Sequence, residues 1–241
     1  MNLTDPSMAI TSSLDGPVLV VLANAGKPLT VSEVASKSER GSEIGIRKSL
    51  GRLLAQGIAE STQMGSTRVY SLNRDHVAAA VAIEMAEIRP ELWRRLAREV
   101  ERWSVRPLYA CVFGSAARHE GDIDSDIDLL VVRPSTISEV NEAQRSKSTW
   151  SALGMWVEVI ATRVMSEAQI KKWESNVDNL HDLVRRWTGN PLQVVSITAI
   201  EWSENRRTQS AIYRNIAQDE IRLYDELAPV KYRYPKARIG K

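Results

Sequence analysis

Asp126-Ile127-Asp128 opens the apolar run Leu129-Leu130-Val131-Val132, and residues two apart in a strand point to the same face. The two carboxylates therefore project together while Ile127 and Leu129 enter a core. Like charges held this close repel unless a cation sits between them, and hard oxygen ligands at this spacing suit Mg²⁺. Upstream, Leu108–Phe113 reads as a short buried strand that runs straight into Gly114-Ser115, and ten residues separate that pair from Asp126. The glycine permits a tight turn and close backbone approach, and Ser115 then opens a helix from Ala116 through Arg118 onward. Amide N–H groups at such a helix start, with the Ser115 hydroxyl, form a site for phosphate oxygens. A phosphate cradle beside a two-carboxylate metal site is a place to bind a nucleoside triphosphate with its metal.

The chain that must position these groups has 241 residues, 43% of them hydrophobic, which is enough for one large or two modest cores and excludes a disordered chain. Its longest apolar runs, Val18–Ala23 and Val77–Ile83, fall far short of the roughly 18 residues of a membrane span. The first residues hold no basic cluster followed by an apolar stretch, and the single cysteine, Cys111, reads as a small core residue; both features point to the cytoplasm. A net charge of +2 is too balanced to imply nucleic acid by itself. Its distribution is more telling, because residues 105–228 carry 14 basic and 18 acidic side chains whereas residues 229–241 carry five basic and no acidic ones. The basic tail invites RNA or DNA, or is a solvated terminus.

Residues 13–26 read as a helix closed by Gly26, and Thr30 with Glu33 forms a capping box for a short second helix ending near Ser38. Residues 42–56 make a third, with Ile46, Leu50, Leu53 and Leu54 on one stripe and Arg47, Lys48 and Arg52 off it. A β-hairpin then turns at Met64-Gly65-Ser66. Three helices and a two-stranded wing in that order resemble a winged helix-turn-helix domain over residues 8–74. The resemblance implies a recognition helix in the major groove and a wing on the backbone, with Arg47, Lys48, Arg52 and Arg68 as DNA contacts. The same charges also fit ordinary solvated faces. Residues 75–104 read as a connecting helix or helix pair that Pro90 bends or divides.

FGSAARHEGDIDSDIDLLVV closely resembles the signature of the polymerase-β-like nucleotidyltransferases, and of their minimal branch in particular. Gly114, Ser115, Arg118, Ser125, Asp126, Asp128 and Leu129 fall where that branch has them, while His119 stands where it more often has glycine. The likeness covers residues 106–165. It implies an α/β (α+β) nucleotidyltransferase domain with a mixed sheet over 105–228, and a third carboxylate on a later strand, for which Glu158 in the apolar Gly154–Ala161 is the candidate. Asp126, Asp128 and Glu158 would then be catalytic and hold Mg²⁺, Gly114 and Ser115 would hold phosphate, and Arg118 would meet the triphosphate or face solvent. The implied reaction moves a nucleoside monophosphate from ATP or another NTP to a hydroxyl on a protein or tRNA, as in toxin–antitoxin and defence systems. The alternative is a nucleotide-responsive transcriptional regulator with little transferase activity, and small-molecule modification is a third possibility. A homodimer would suit operator half-sites. Asp122 and Asp124 read as a solvated acidic loop.

Beyond the signature, residues 166–187 read as a helix capped by Ser166, and Leu192–Ile197 as a strand. A helix opening at Thr198 with a Glu201 capping box continues its apolar stripe through Ile212, Ile216 and Ile221 to Leu227.

Overall fold

The computed structural model describes residues 1–145 and 163–226. The first elements are α1 (Asp15–Asn24), α2 (Val31–Lys37) and α3 (Glu43–Ala55), followed by the antiparallel hairpin β1 (Ala59–Met64) and β2 (Thr67–Leu72). Each helix start has a local cause. Thr30 Oγ1 accepts from the Glu33 amide at 3.1 Å while the Glu33 carboxylate accepts from the Thr30 amide at 2.8 Å, closing the expected box on α2. Ser42 caps α3 by accepting from the Gly45 amide at 3.2 Å. Gly65 turns the hairpin with φ +62°. One pairing escapes pattern reading, because it needs a single residue: Leu29 exchanges both backbone hydrogen bonds with Tyr70, at 2.8 and 2.7 Å, and so adds a third strand position beside β2.

Val18, Leu22, Val34, Ile46, Leu50 and Leu72 form the core of this first unit, joined by Ala79 and Ala82 of α4 (Ala79–Ala86). Contacts divide the chain at Glu91–Leu92. The expected connector over 75–104 is therefore split: α4 packs into the first core, and α5 (Ile88–Arg102) carries the division. Glu87 ends α4, and Pro90 sits in the first turn of α5, where its missing N–H is not needed.

The second unit is built on a mixed sheet in the order β7-β4-β3-β8, comprising β3 (Tyr109–Phe113), β4 (Ile127–Arg133), β7 (Leu192–Thr198) and β8 (Ile221–Asp225). β3 lies antiparallel to β4 and β8, and β7 lies parallel to β4. Ile127, Leu129, Leu130, Val131 and Val132 are all fully buried, as a central strand covered on both faces requires. Leu130 and Val132 pack with Cys111, Val140, Ala199, Trp202 and Ile216. Burial also pushes the Cys111 thiol well above its ordinary range, consistent with a core role. The single-turn α6 (Gly114–Ala117) follows β3, and the two-residue strands β5 (Ser135–Thr136) and β6 (Val164–Met165) pair in parallel. Between them α7 (Ile137–Arg145) starts at a Thr136–Glu139 box, a T-x-x-E spacing that apolar periodicity alone passes over.

α8 (Glu167–Thr188) begins at Ser166 as expected, and its Trp173 donates to Ser196 on β7 at 3.1 Å. The long C-terminal helix expected from Thr198 to Leu227 is corrected in three places. α9 (Ala199–Thr208) ends at Gln209, which takes φ +50°; α10 (Ala211–Asp219) is a separate helix; and Ile221–Asp225 is strand β8 on the edge of β3. Ile212, Ile216 and Ile221 fit a helical stripe, but Ile221 and Leu223 also alternate, and the open edge of β3 supplies the ladder bonds that decide for a strand. The strand expected around Glu158, Leu227 and the basic tail lie outside the described residues.

Candidate active site

The register of the sheet places Phe113, the last residue of β3, directly opposite Asp128 on β4. Gly114 follows with φ +71°, and a Cβ built there would stand 2.5 Å from Asp128 Oδ2. Only glycine lets the chain turn and pass this close to the carboxylate. Gly114 and Asp128 are thus one structural feature, although the sequence separates them. Behind the turn Ala116 is fully buried and anchors α6, while Ser115 stays partly exposed. His119 takes φ +64°, a left-handed backbone that histidine tolerates better than most residues.

Asp126 enters from a loop with its own hydrogen bonds. Asp122 Oδ1 accepts from the Ser125 hydroxyl at 2.7 Å and from the Asp124 amide at 3.0 Å, and the Ser125 hydroxyl accepts from the Asp122 amide at 2.9 Å. The Ser125 hydrogen bond, above all, holds the Asp122 carboxyl below its usual range. Asp122 and Asp124 are exposed, as the sequence suggests, and Asp122 shapes the loop. A residue that pattern reading misses closes the loop from below: the buried Asn190 donates from Nδ2 to the carbonyls of Asp122 at 3.1 Å and Ser125 at 3.0 Å. Its only signal in the sequence is a polar residue wedged between the helix-ending Gly189 and Pro191.

Burial first, and then the charge of Asp126, push the Asp128 carboxyl above its usual range, with Arg118 opposing the shift. Arg118 itself donates from Nε to Glu120 at 2.7 Å and from Nη1 to Asp219, at the end of α10, also at 2.7 Å. Those bonds, Asp219 foremost, raise its pKa further. The guanidinium is therefore fixed near the carboxylates rather than loose in solvent. Two neighbouring carboxylates, the charge of Asp126 bearing on Asp128 and both offering hard oxygen, fit a divalent cation. Among the described residues no third carboxylate, histidine or cysteine completes a metal cluster, and Glu158, expected as that third ligand, lies outside them.

A family model for the nucleotidyltransferase domain matches residues 93–198. Over these residues the chain is similar to the nucleotidyltransferase domain. The matched stretch contains Gly114, Ser115, Arg118, Asp126 and Asp128 and ends with β7, so it covers the turn, both carboxylates and Asn190. Asp219, which grips Arg118, lies beyond the matched nucleotidyltransferase residues. Neither the curated proteins nor the solved structures yield a match to the chain. A groove of about 460 Å³ in the same unit is lined by Arg106, Pro134, Arg163 and Glu226, at the far end of β4. Pro134 stands six positions after Asp128, roughly 20 Å of extended chain, so that groove is not the carboxylate site.

In the first unit the four expected DNA contacts divide. Lys48 on α3 and Arg68 on β2 are exposed. Arg47 pairs with Glu43 at 2.9 Å across one helical turn. The Arg52 guanidinium is held by Asp15 at 2.7 Å, and Asp15 also accepts from Ser49 at 2.5 Å, so Arg52 ties α3 to the start of α1. Burial acts against it, yet bonds from Arg52, Ser49 and Ser13 leave the Asp15 carboxyl below its usual range.

Proposed function

We propose that this chain is a Mg²⁺-dependent nucleotidyltransferase that moves a nucleoside monophosphate from an NTP to a hydroxyl on a protein or tRNA, and that residues 8–74 form a DNA-binding winged helix-turn-helix domain. The observation that carries the catalytic half is the approach of Gly114 to Asp128 with Asp126 beside it, inside the nucleotidyltransferase domain. Asp126 and Asp128, with Glu158 as the third carboxylate, would hold the metal. Mg²⁺ bound there supplies charge neutralisation for the triphosphate and for the attacking oxygen. Gly114 and Ser115 offer main-chain N–H groups to the β- and γ-phosphate oxygens. Arg118, held by Asp219 and Glu120, lies near enough to Asp128 to act on its charge. The acceptor hydroxyl passes its proton to water as its oxygen bonds to the α-phosphorus; the bond from the α-phosphorus to the bridging oxygen breaks, and pyrophosphate leaves with that electron pair.

The regulatory half rests on the helix order α1–α2–α3, the hairpin after it, and the exposed Lys48 and Arg68; Arg47 and Arg52, paired with Glu43 and Asp15, would reach DNA only by giving up those bonds. A dimer of such domains would read two half-sites. The test is incubation of the purified chain with each α-labelled NTP, Mg²⁺, total tRNA and host lysate, against Asp126→Ala. Label on one RNA or protein band that the variant lacks is the expected result. No label with any NTP, despite measurable nucleotide binding, would replace the enzyme with a nucleotide-sensing regulator.

A further inference from the structure

We infer that Asn190 is a positioning residue for Asp126, acting through the backbone that leads into that carboxylate; the inference rests on the metal-binding role proposed for Asp126. Asn190 is fully buried, and its Nδ2 donates to the carbonyls of Asp122, Ile123 and Ser125 at 3.1, 3.4 and 3.0 Å. Its neighbour Pro191 accepts from the Ile127 amide at 2.9 Å. The peptide before Asp126 is therefore held by its carbonyl and the peptide after it by its N–H. Between these two tethers the Asp126 Cα has little freedom, and its side chain leaves the backbone in a fixed direction.

The tether is itself anchored. Thr188 Oγ1 accepts from the Asn190 amide at 3.0 Å and donates to the Val184 carbonyl at 2.8 Å, at the end of the 22-residue α8. Gly189 takes φ +81°, a left-handed cap that turns the chain from α8 toward β7. The rigid end of a long helix thus fixes an otherwise exposed loop. Residues that orient a metal ligand commonly change metal affinity about 10- to 100-fold when removed, without touching the metal.

The experiment titrates Mn²⁺ alone into the full chain, reads free ion by its EPR signal, and compares wild type with Asp126→Ala, Asn190→Ala and Asn190→Ser. Hydrogen exchange of residues 122–127 is followed in the same samples. The expected result is weak or absent binding in Asp126→Ala, binding weakened at least about 10-fold in Asn190→Ala, and faster exchange confined to residues 122–126 while β3 and β4 stay protected. Asn190→Ser keeps a polar group in the buried site but cannot span to the carbonyls, so it shows the same behaviour if Asn190→Ala does not fold. Wild-type Mn²⁺ affinity and loop protection in a folded Asn190 variant, with binding lost in Asp126→Ala, would overturn the positioning role alone. Unchanged binding in Asp126→Ala would overturn the metal assignment and this inference with it.

Discussion

At the scale of single residues, Gly114 and Asp128 bear on each other in opposite senses of stability and function. A Cβ at position 114 meets Asp128 Oδ2 at 2.5 Å on a backbone with φ +71°, so Gly114→Ala combines left-handed strain of about 1–2 kcal/mol with a displaced carboxylate. Its melting temperature should fall by several degrees and nucleotidyl transfer should be lost; a variant with wild-type melting and transfer would contradict the close approach. Asp128 is the reverse case. Its folded pKa is raised, by burial first and by Asp126 next, so ionising it weighs against the folded state as pH rises past the ordinary carboxyl value of 3.8. Below that value the group is protonated folded and unfolded, and the penalty vanishes. Asp128→Asn should therefore melt higher than wild type at pH 7 without metal, lose that advantage as pH falls toward 3, and have no transferase activity. A lower melting temperature at pH 7 would contradict the sign. The pairing of these two residues was legible in the sequence only as two motifs. That one is the steric condition of the other follows from the β3–β4 register, which spacing does not encode.

Elements show where local signals suffice and where they do not. The capping boxes at Thr30–Glu33, Ser166–Gln169 and Thr198–Glu201 mark helix starts with side chains that bond their own backbone, so sequence alone places those ends. Thr30→Ala should cost about 1 kcal/mol in a denaturant melt, and a change near zero would mean that tertiary packing alone holds α2. Elsewhere the deciding partner is distant. β8 is a strand because β3 has an open edge, not because Ile221 and Leu223 forbid a helix. Leu29 joins β2 through one bridge, too short to leave a pattern. Asn190 acts through main-chain carbonyls 65 to 68 residues away, and no side-chain motif records such a bond. Of the three carboxylates implied by the nucleotidyltransferase signature, Asp126 and Asp128 lie among the described residues and Glu158 lies outside them.

For the whole molecule, two chemistries are proposed for two units divided at Glu91–Leu92. Operator binding should depend on the exposed Lys48 and Arg68: each change to alanine lowers affinity across sequences and reduces the salt dependence by about one ion, read by fluorescence anisotropy over a salt series. An unchanged salt slope in both variants would remove these residues from the proposed interface. Asp126→Ala should retain operator affinity while losing transfer. The central claim, that Gly114, Asp126 and Asp128 form a nucleotidyl-transfer site, is tested most directly by giving the chain the same NTP labelled at the α- or the γ-phosphate and comparing wild type with Asp128→Asn. The account predicts α-label on the acceptor, γ-label released in pyrophosphate, and at least about a 100-fold loss in a variant that remains folded. Transfer of the γ-label instead, or α-label transfer unaffected by Asp128→Asn, would contradict it.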